Sequence, residues 1–71
     1  MSLFVVKVKD KELYFNADEG NGEFVCNTPM VMDETQANDV LKYCSELYDI
    51  ETDDMYHISD MEVREIKLQL I

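Results

Sequence analysis

Two thiols, one imidazole and sixteen carboxylates are the groups in this chain most able to do chemistry. Cys26, Cys44 and His57 are single residues far apart in the sequence. A Cys-His nucleophile requires the two side chains within hydrogen-bond reach, and no motif joins them here. A zinc site requires four ligands, normally in tight Cys-x-x-Cys or His-x-x-x-His pairs, and such spacing is absent. The cysteines therefore read as reduced, small apolar residues, and no cofactor or metal is expected.

The carboxylates are more informative because they are regional. Between Asp33 and Glu65 stand eleven of them against only Lys42 and Arg64, which accounts for nearly all of the formal net charge of −10. Calcium is the first chemistry to consider. Counting from Asp49, the first, third and fifth positions of an EF-hand loop are Asp49, Glu51 and Asp53. The twelfth is Asp60. The sixth, glycine in that loop, is Asp54, the twelfth lacks the long bidentate Glu, and no exit helix follows. Paired carboxylates for glycoside hydrolysis need a cleft between them, and a chain of 71 residues with one helix has little room for one. An enzyme is not expected.

What remains is an acidic surface. Asp39, Glu46 and Asp49 share the outer face of the helix that begins at Asp33. Asp39 and Glu46 are then two turns apart, about 10 Å at 1.5 Å per residue. Glu51, Asp53 and Asp54 continue the row into the following loop. Such a row suits a Lys/Arg groove on another protein, in the place of nucleic-acid phosphates. The plainer explanation is a solvated helix face with Lys42 making ordinary i,i+3 and i,i+4 contacts.

The net charge excludes other partners. Direct nucleic-acid binding needs clustered Lys and Arg. The only basic cluster, Lys7, Lys9 and Lys11, is interleaved with Asp10 and Glu12. Anionic membrane surfaces are disfavoured for the same reason. No run of apolar residues is long enough for a transmembrane helix, and no secretory signal is apparent, so a cytoplasmic setting is expected.

The elements that must position these groups are legible in outline. Leu3–Lys9 is rich in β-branched residues. With Asp10-Lys11 as a two-residue loop, Val8 pairs with Leu13, Lys7 with Tyr14, Val6 with Phe15 and Phe4 with Ala17. That register sorts one face apolar throughout. Asp18–Gly22 reads as a turn and Glu23–Asn27 as a third strand, ended by Pro29. Met30–Met32 reads as a short strand or buried connector.

Asp33 is a suitable N-cap, with Gln36 three residues on in a variant of the capping box. Ala37, Val40, Leu41, Cys44, Leu47 and Tyr48 then form a helical stripe. Met55–Ile58 is a short strand or one helical turn. Val63–Ile71 alternates as a final strand, with Ile66, Leu68 and Leu70 on one face, Met61 and Val63 on the other phase, and a bulge or strand start near Arg64. Val5, Tyr14, Val25 or Cys26, and Ile71 are candidates for an apolar patch on the sheet face away from the helix.

The expectation is a single α+β domain over residues 1–71: a small antiparallel-rich sheet in β-β-β-α-β order with one amphipathic helix packed on one face. The hairpin Lys9-Asp10-Lys11-Glu12-Leu13-Tyr14-Phe15 and the helix start Met32-Asp33-Glu34-Thr35-Gln36-Ala37 resemble those of short proteins encoded by phages and mobile elements of Gram-positive bacteria. The resemblance covers about half the chain. It implies a fold and a setting and carries no site residues over. The functional expectation is a small acidic, non-enzymatic protein-binding module. In its sharpest form it is a phage-encoded inhibitor or nucleic-acid mimic that engages a basic protein partner through Asp39, Glu46, Asp49, Glu51, Asp53 and Asp54. The alternative is a structural or assembly protein acting as a homo-oligomer, for instance a homodimer, through its free sheet face or edge strand.

Overall fold

A computed structural model describes residues 2–67. The chain forms strands β1 (Leu3–Val8), β2 (Tyr14–Asp18) and β3 (Gly22–Cys26), helix α1 (Glu34–Tyr43), then β4 (Glu46–Tyr48), β5 (Met55–His57) and β6 (Met61–Ile66). A single 3-10 turn at Ile58–Asp60 joins the last two strands. The fold is α+β. One antiparallel sheet has the order β3-β2-β1-β6, and β4 and β5 make a second, two-stranded sheet.

Binary patterning explains the main sheet. Val6 and Val8 of β1, Phe15 of β2, Val25 of β3 and Met61 of β6 bury one face, joined in the core by Met32, Ala37 and Leu47. The expected register of the first hairpin holds at its closed end. Lys7 faces Tyr14, and the Val8 N–H donates to the Leu13 carbonyl at 2.8 Å. The loop is longer than two residues. Asp10 sits at φ 63°, which Asp tolerates better than most side chains. Phe4 does not pair with Ala17. It exchanges both backbone hydrogen bonds with Met32, each 2.8 Å, so the connector occupies the place beside β1 that the end of β2 was expected to fill.

Two further expectations are corrected. The helix begins as expected, with Asp33 accepting from the Gln36 N–H, but ends at Tyr43. Cys44 is extended (φ −92°, ψ 141°), although its N–H still closes on the Val40 carbonyl. Leu47 and Tyr48 belong to β4, opposite Tyr56 and Met55 of β5. A residue at Leu47 fits a helical stripe and a strand alternation equally well. The strand prevails because it buries Leu47 to 2% exposure against the core while β5 satisfies its backbone.

Among the described residues the final strand is Met61–Ile66. It starts two residues before the expected Val63 and keeps an unbroken register against β1 from Leu3↔Ile66 to Val8↔Met61, with neither a bulge nor a strand start near Arg64. Pairing with Val6 and Val8 places Val63 and Met61 on the core face. Leu68, Leu70 and Ile71 lie outside the described residues.

The opposite face of the sheet is largely polar. Lys7 and Arg64 both reach Glu62, at 3.7 and 3.3 Å, and the Tyr14 hydroxyl donates to Glu12 at 2.6 Å. Of the residues expected to make an apolar patch there, Val25 belongs to the core instead, Val5 is buried, and Cys26, the alternative to Val25, lies opposite Tyr14; Ile71 lies outside the described residues.

Candidate functional site

The acidic residues fall on three different elements rather than one helix face. Asp39 is exposed on α1. Glu46 is exposed at the start of β4, opposite His57. Glu51, Asp53 and Asp54 are exposed in the loop that joins β4 to β5. With three residues in β4, that loop lies about 10 Å along the strand from Glu46.

Asp49 does not join the exposed set. It is only 5% exposed. Its carboxylate accepts from the Glu51 N–H at 2.8 Å and, at 3.4 Å, from that of Thr52. Its backbone N–H donates to the Asp54 carbonyl, and its carbonyl accepts from the Asp53 N–H, both at 2.8 Å. This is an Asx-type turn that builds the loop from within. The Thr52 hydroxyl adds a bond to Asp54 at 3.0 Å. Asp53 takes the left-handed conformation, φ 61°. The loop is tied to the main sheet by the Ile50 N–H, which donates to the Val25 carbonyl at 3.1 Å. An Asp49→Ala protein is expected to lose about 1 kcal/mol, the usual worth of such bonds, while Asp49→Asn, which keeps the accepting oxygen, loses less. Urea unfolding of the two variants checks this.

Electrostatically the loop is unneutralised. Among the described residues both ion pairs converge on Glu62, and none involves Asp39, Glu46, Glu51, Asp53 or Asp54. The field of the loop reaches Lys11. A hydrogen bond to the Tyr56 hydroxyl is the main reason that ammonium is held above its ordinary value, and Asp54 and Asp49 add to it.

The candidate reactive groups are otherwise engaged. The His57 Nδ1 accepts the Ser59 N–H at 3.2 Å and lies 2.9 Å from the Ser59 hydroxyl, capping the 3-10 turn. The Cys44 thiol donates to Glu23 at 3.0 Å. Burial first, and then Glu23, pushes this thiol up to about 11. Since only the thiolate reacts, Cys44 is expected to alkylate roughly two orders of magnitude more slowly than an ordinary thiol at pH 8. Glu23→Gln is expected to speed the reaction, and iodoacetamide kinetics read by mass spectrometry check both. No group of three or more His, Cys, Asp or Glu is arranged to hold a metal ion among the described residues. None of their helices is long and apolar enough to cross a membrane.

One feature of the surface has no counterpart in the sequence reading. A groove of about 290 Å³ opens between α1 and the connector that precedes it. Phe15, Met30, Met32, Val40 and Tyr43 give it apolar walls, and Glu23 and Asp39 stand at it as carboxylates. The available signal was Met30-Val31-Met32. Three consecutive apolar residues beside an extended backbone cannot all face one core. Met32 is buried, whereas Met30 and Val31 are exposed.

No protein-family model, curated protein or solved structure matches this chain.

Proposed function

We propose that this protein is a small non-enzymatic binding module that works in the cytoplasm by engaging a basic protein partner. Its contacts are Glu51, Asp53 and Asp54 of the β4–β5 loop, with Glu46 and Asp39 extending the acidic surface. Asp49 holds the loop in shape rather than touching the partner. In the sharpest form of the reading, the module is phage-encoded. It inhibits a host nucleic-acid enzyme by placing carboxylates where phosphates would lie. The single observation that supports it is a loop of three exposed carboxylates, braced by a buried fourth, with no ion pair to a cation among the described residues.

Fixed charges on a pre-shaped loop attract a basic surface over long range and cost little ordering on contact. Affinity capture from a bacterial lysate tests the proposal. The expected result is a basic protein retained at low salt and released at high salt, because exposed charges are screened. Retention that is indifferent to salt contradicts it.

The alternative, a self-associating structural module, has strand β6 in its favour, since it ends the main sheet and an edge invites pairing. Sedimentation equilibrium separates the two. A strict monomer at high concentration removes the alternative.

A further inference from the structure

We infer that the groove between α1 and the Met30–Met32 connector receives the apolar face of a basic amphipathic helix from the partner. The inference rests on the proposed engagement of a basic protein and supplies the anchor that charge alone lacks.

Three observations carry it. The first is the concentration of exposed apolar surface. Met30 (38% exposed), Val31 (48%) and Tyr43 (74%) are three of the five large hydrophobic residues left exposed among the described residues. Met30 and Tyr43 are groove walls, and Val31 adjoins Met30 in the chain. Apolar surface rimmed by polar groups is characteristic of an interaction site.

The second is charge complementarity. Glu23 and Asp39 stand at the groove. Among the described residues no Lys or Arg lines the groove, and the Lys42 ammonium lies 5.3 Å from the centre of the Tyr43 ring. A second copy of this chain, with a net charge of −10, would meet like charge there. A segment carrying Lys and Arg beside its apolar residues would not.

The third is the state of the backbone in the walls. Met32 has both its N–H and its carbonyl bonded to Phe4, and α1 satisfies its own backbone through Tyr43. The α1 wall offers no strand edge, so an extended peptide gains no ladder on that side. A helix needs none, because its backbone is already paired, and it presents apolar side chains at i, i+3, i+4 and i+7.

Both walls of the groove are anchored by backbone bonds. The two Phe4–Met32 bonds pin one wall to β1, and the Asp33 cap fixes the start of the other. Its floor includes the Cys44 thiol, bonded to Glu23. Side-chain anchors therefore enter a preformed site with little ordering cost.

The test uses two fluorescein-labelled synthetic peptides of equal positive charge and the full-length protein. One peptide combines Leu and Lys with Leu at helical spacing; the other has Gln in place of every Leu. Fluorescence anisotropy is expected to show the Leu/Lys peptide bound at least about tenfold more tightly. The double variant Met30→Ser, Tyr43→Ser is expected to cancel most of that difference and leave the Gln/Lys peptide unchanged. Both substitutions are at exposed positions, so the fold is expected to survive, and circular dichroism verifies it.

Equal binding of the two peptides, or a double variant that binds the Leu/Lys peptide like the parent, overturns the groove assignment. If in either case the Gln/Lys peptide still responds to neutralisation of Glu51, Asp53 and Asp54, the acidic-loop reading stands without the groove. If Leu/Lys binding depends on Met30 and Tyr43 but neither peptide responds to that neutralisation, the groove stands and the loop reading falls. Binding of neither peptide overturns both.

Discussion

Leu47→Ala is expected to leave the protein largely unfolded under mild denaturation, with a loss of about 2–5 kcal/mol. At roughly 0.05–0.15 kcal/mol per residue, a domain of this size has about 4–10 kcal/mol in total. A short chain has little core to spare. Leu47 is 2% exposed and packs in the single core cluster with Val6, Val25 and Met32. It is also the one buried residue of the β4–β5 sheet. A two-stranded hairpin is marginal alone and depends on such an anchor. Loss of the anchor is therefore expected to free the acidic loop before the main sheet melts.

Urea unfolding and amide exchange at Asp49 and Ile58, whose N–H groups donate to Asp54 and Ser45 across the hairpin, read the two effects. Met55→Ala is the matched control. Met55 lies in the same hairpin but is 59% exposed, and its change is expected to stay within about 0.5 kcal/mol. Equal losses at the two positions would mean that β4 is not anchored through Leu47.

The second large effect concerns binding. The triple variant Glu51→Gln, Asp53→Asn, Asp54→Asn is expected to weaken capture of the basic partner about tenfold or more. Most of the loss should fall on the association rate, since exposed charges steer encounter. The same variant is expected to keep or slightly raise its unfolding midpoint. These carboxylates are exposed and unpaired among the described residues, so their removal relieves repulsion in a protein of charge −10. Asn at Asp53 suits the left-handed backbone, φ 61°. An amide oxygen at position 54 still accepts from Thr52. A variant that retains full capture removes the loop from the interface, and one that loses its fold would mean the loop acids are structural.

The distinction between loop acids and Asp49 was not visible in the sequence. Asp49, Glu51, Asp53 and Asp54 look alike as a run of carboxylates. Only the strand at Glu46–Tyr48 turns Asp49 inward, because the residue after Tyr48 continues the alternation begun by exposed Glu46 and buried Leu47. The helix start was legible because capping is local: an Asp at N-cap acts on an N–H three residues away.

The closed end of the first hairpin was legible for a related reason, since apolar and polar alternation on two adjacent strands admits one sorting. The helix end was not, because Leu47 and Tyr48 satisfy both periods and the decision rests on β5, a distant partner. The bulge or strand start expected near Arg64 does not occur, because the register of β6 against β1 is unbroken. The pairing of Met61 with Val8 and Val63 with Val6 is a tertiary fact. The groove escaped notice because it is made by the Phe4–Met32 bridge, which displaces the expected Phe4–Ala17 pair.

The most direct measurement of the central claim is a titration of the ¹⁵N-labelled protein with a short oligolysine, followed by two-dimensional NMR at low salt. The account predicts the largest amide perturbations at Glu51 to Asp54, with smaller ones at Glu46 and Asp39. It predicts little change at Asp18, whose carboxylate is already bonded to Asn21, or at Asp33, which caps α1. Perturbations spread evenly over all these acids, or strongest at Asp18 and Asp33, would contradict it.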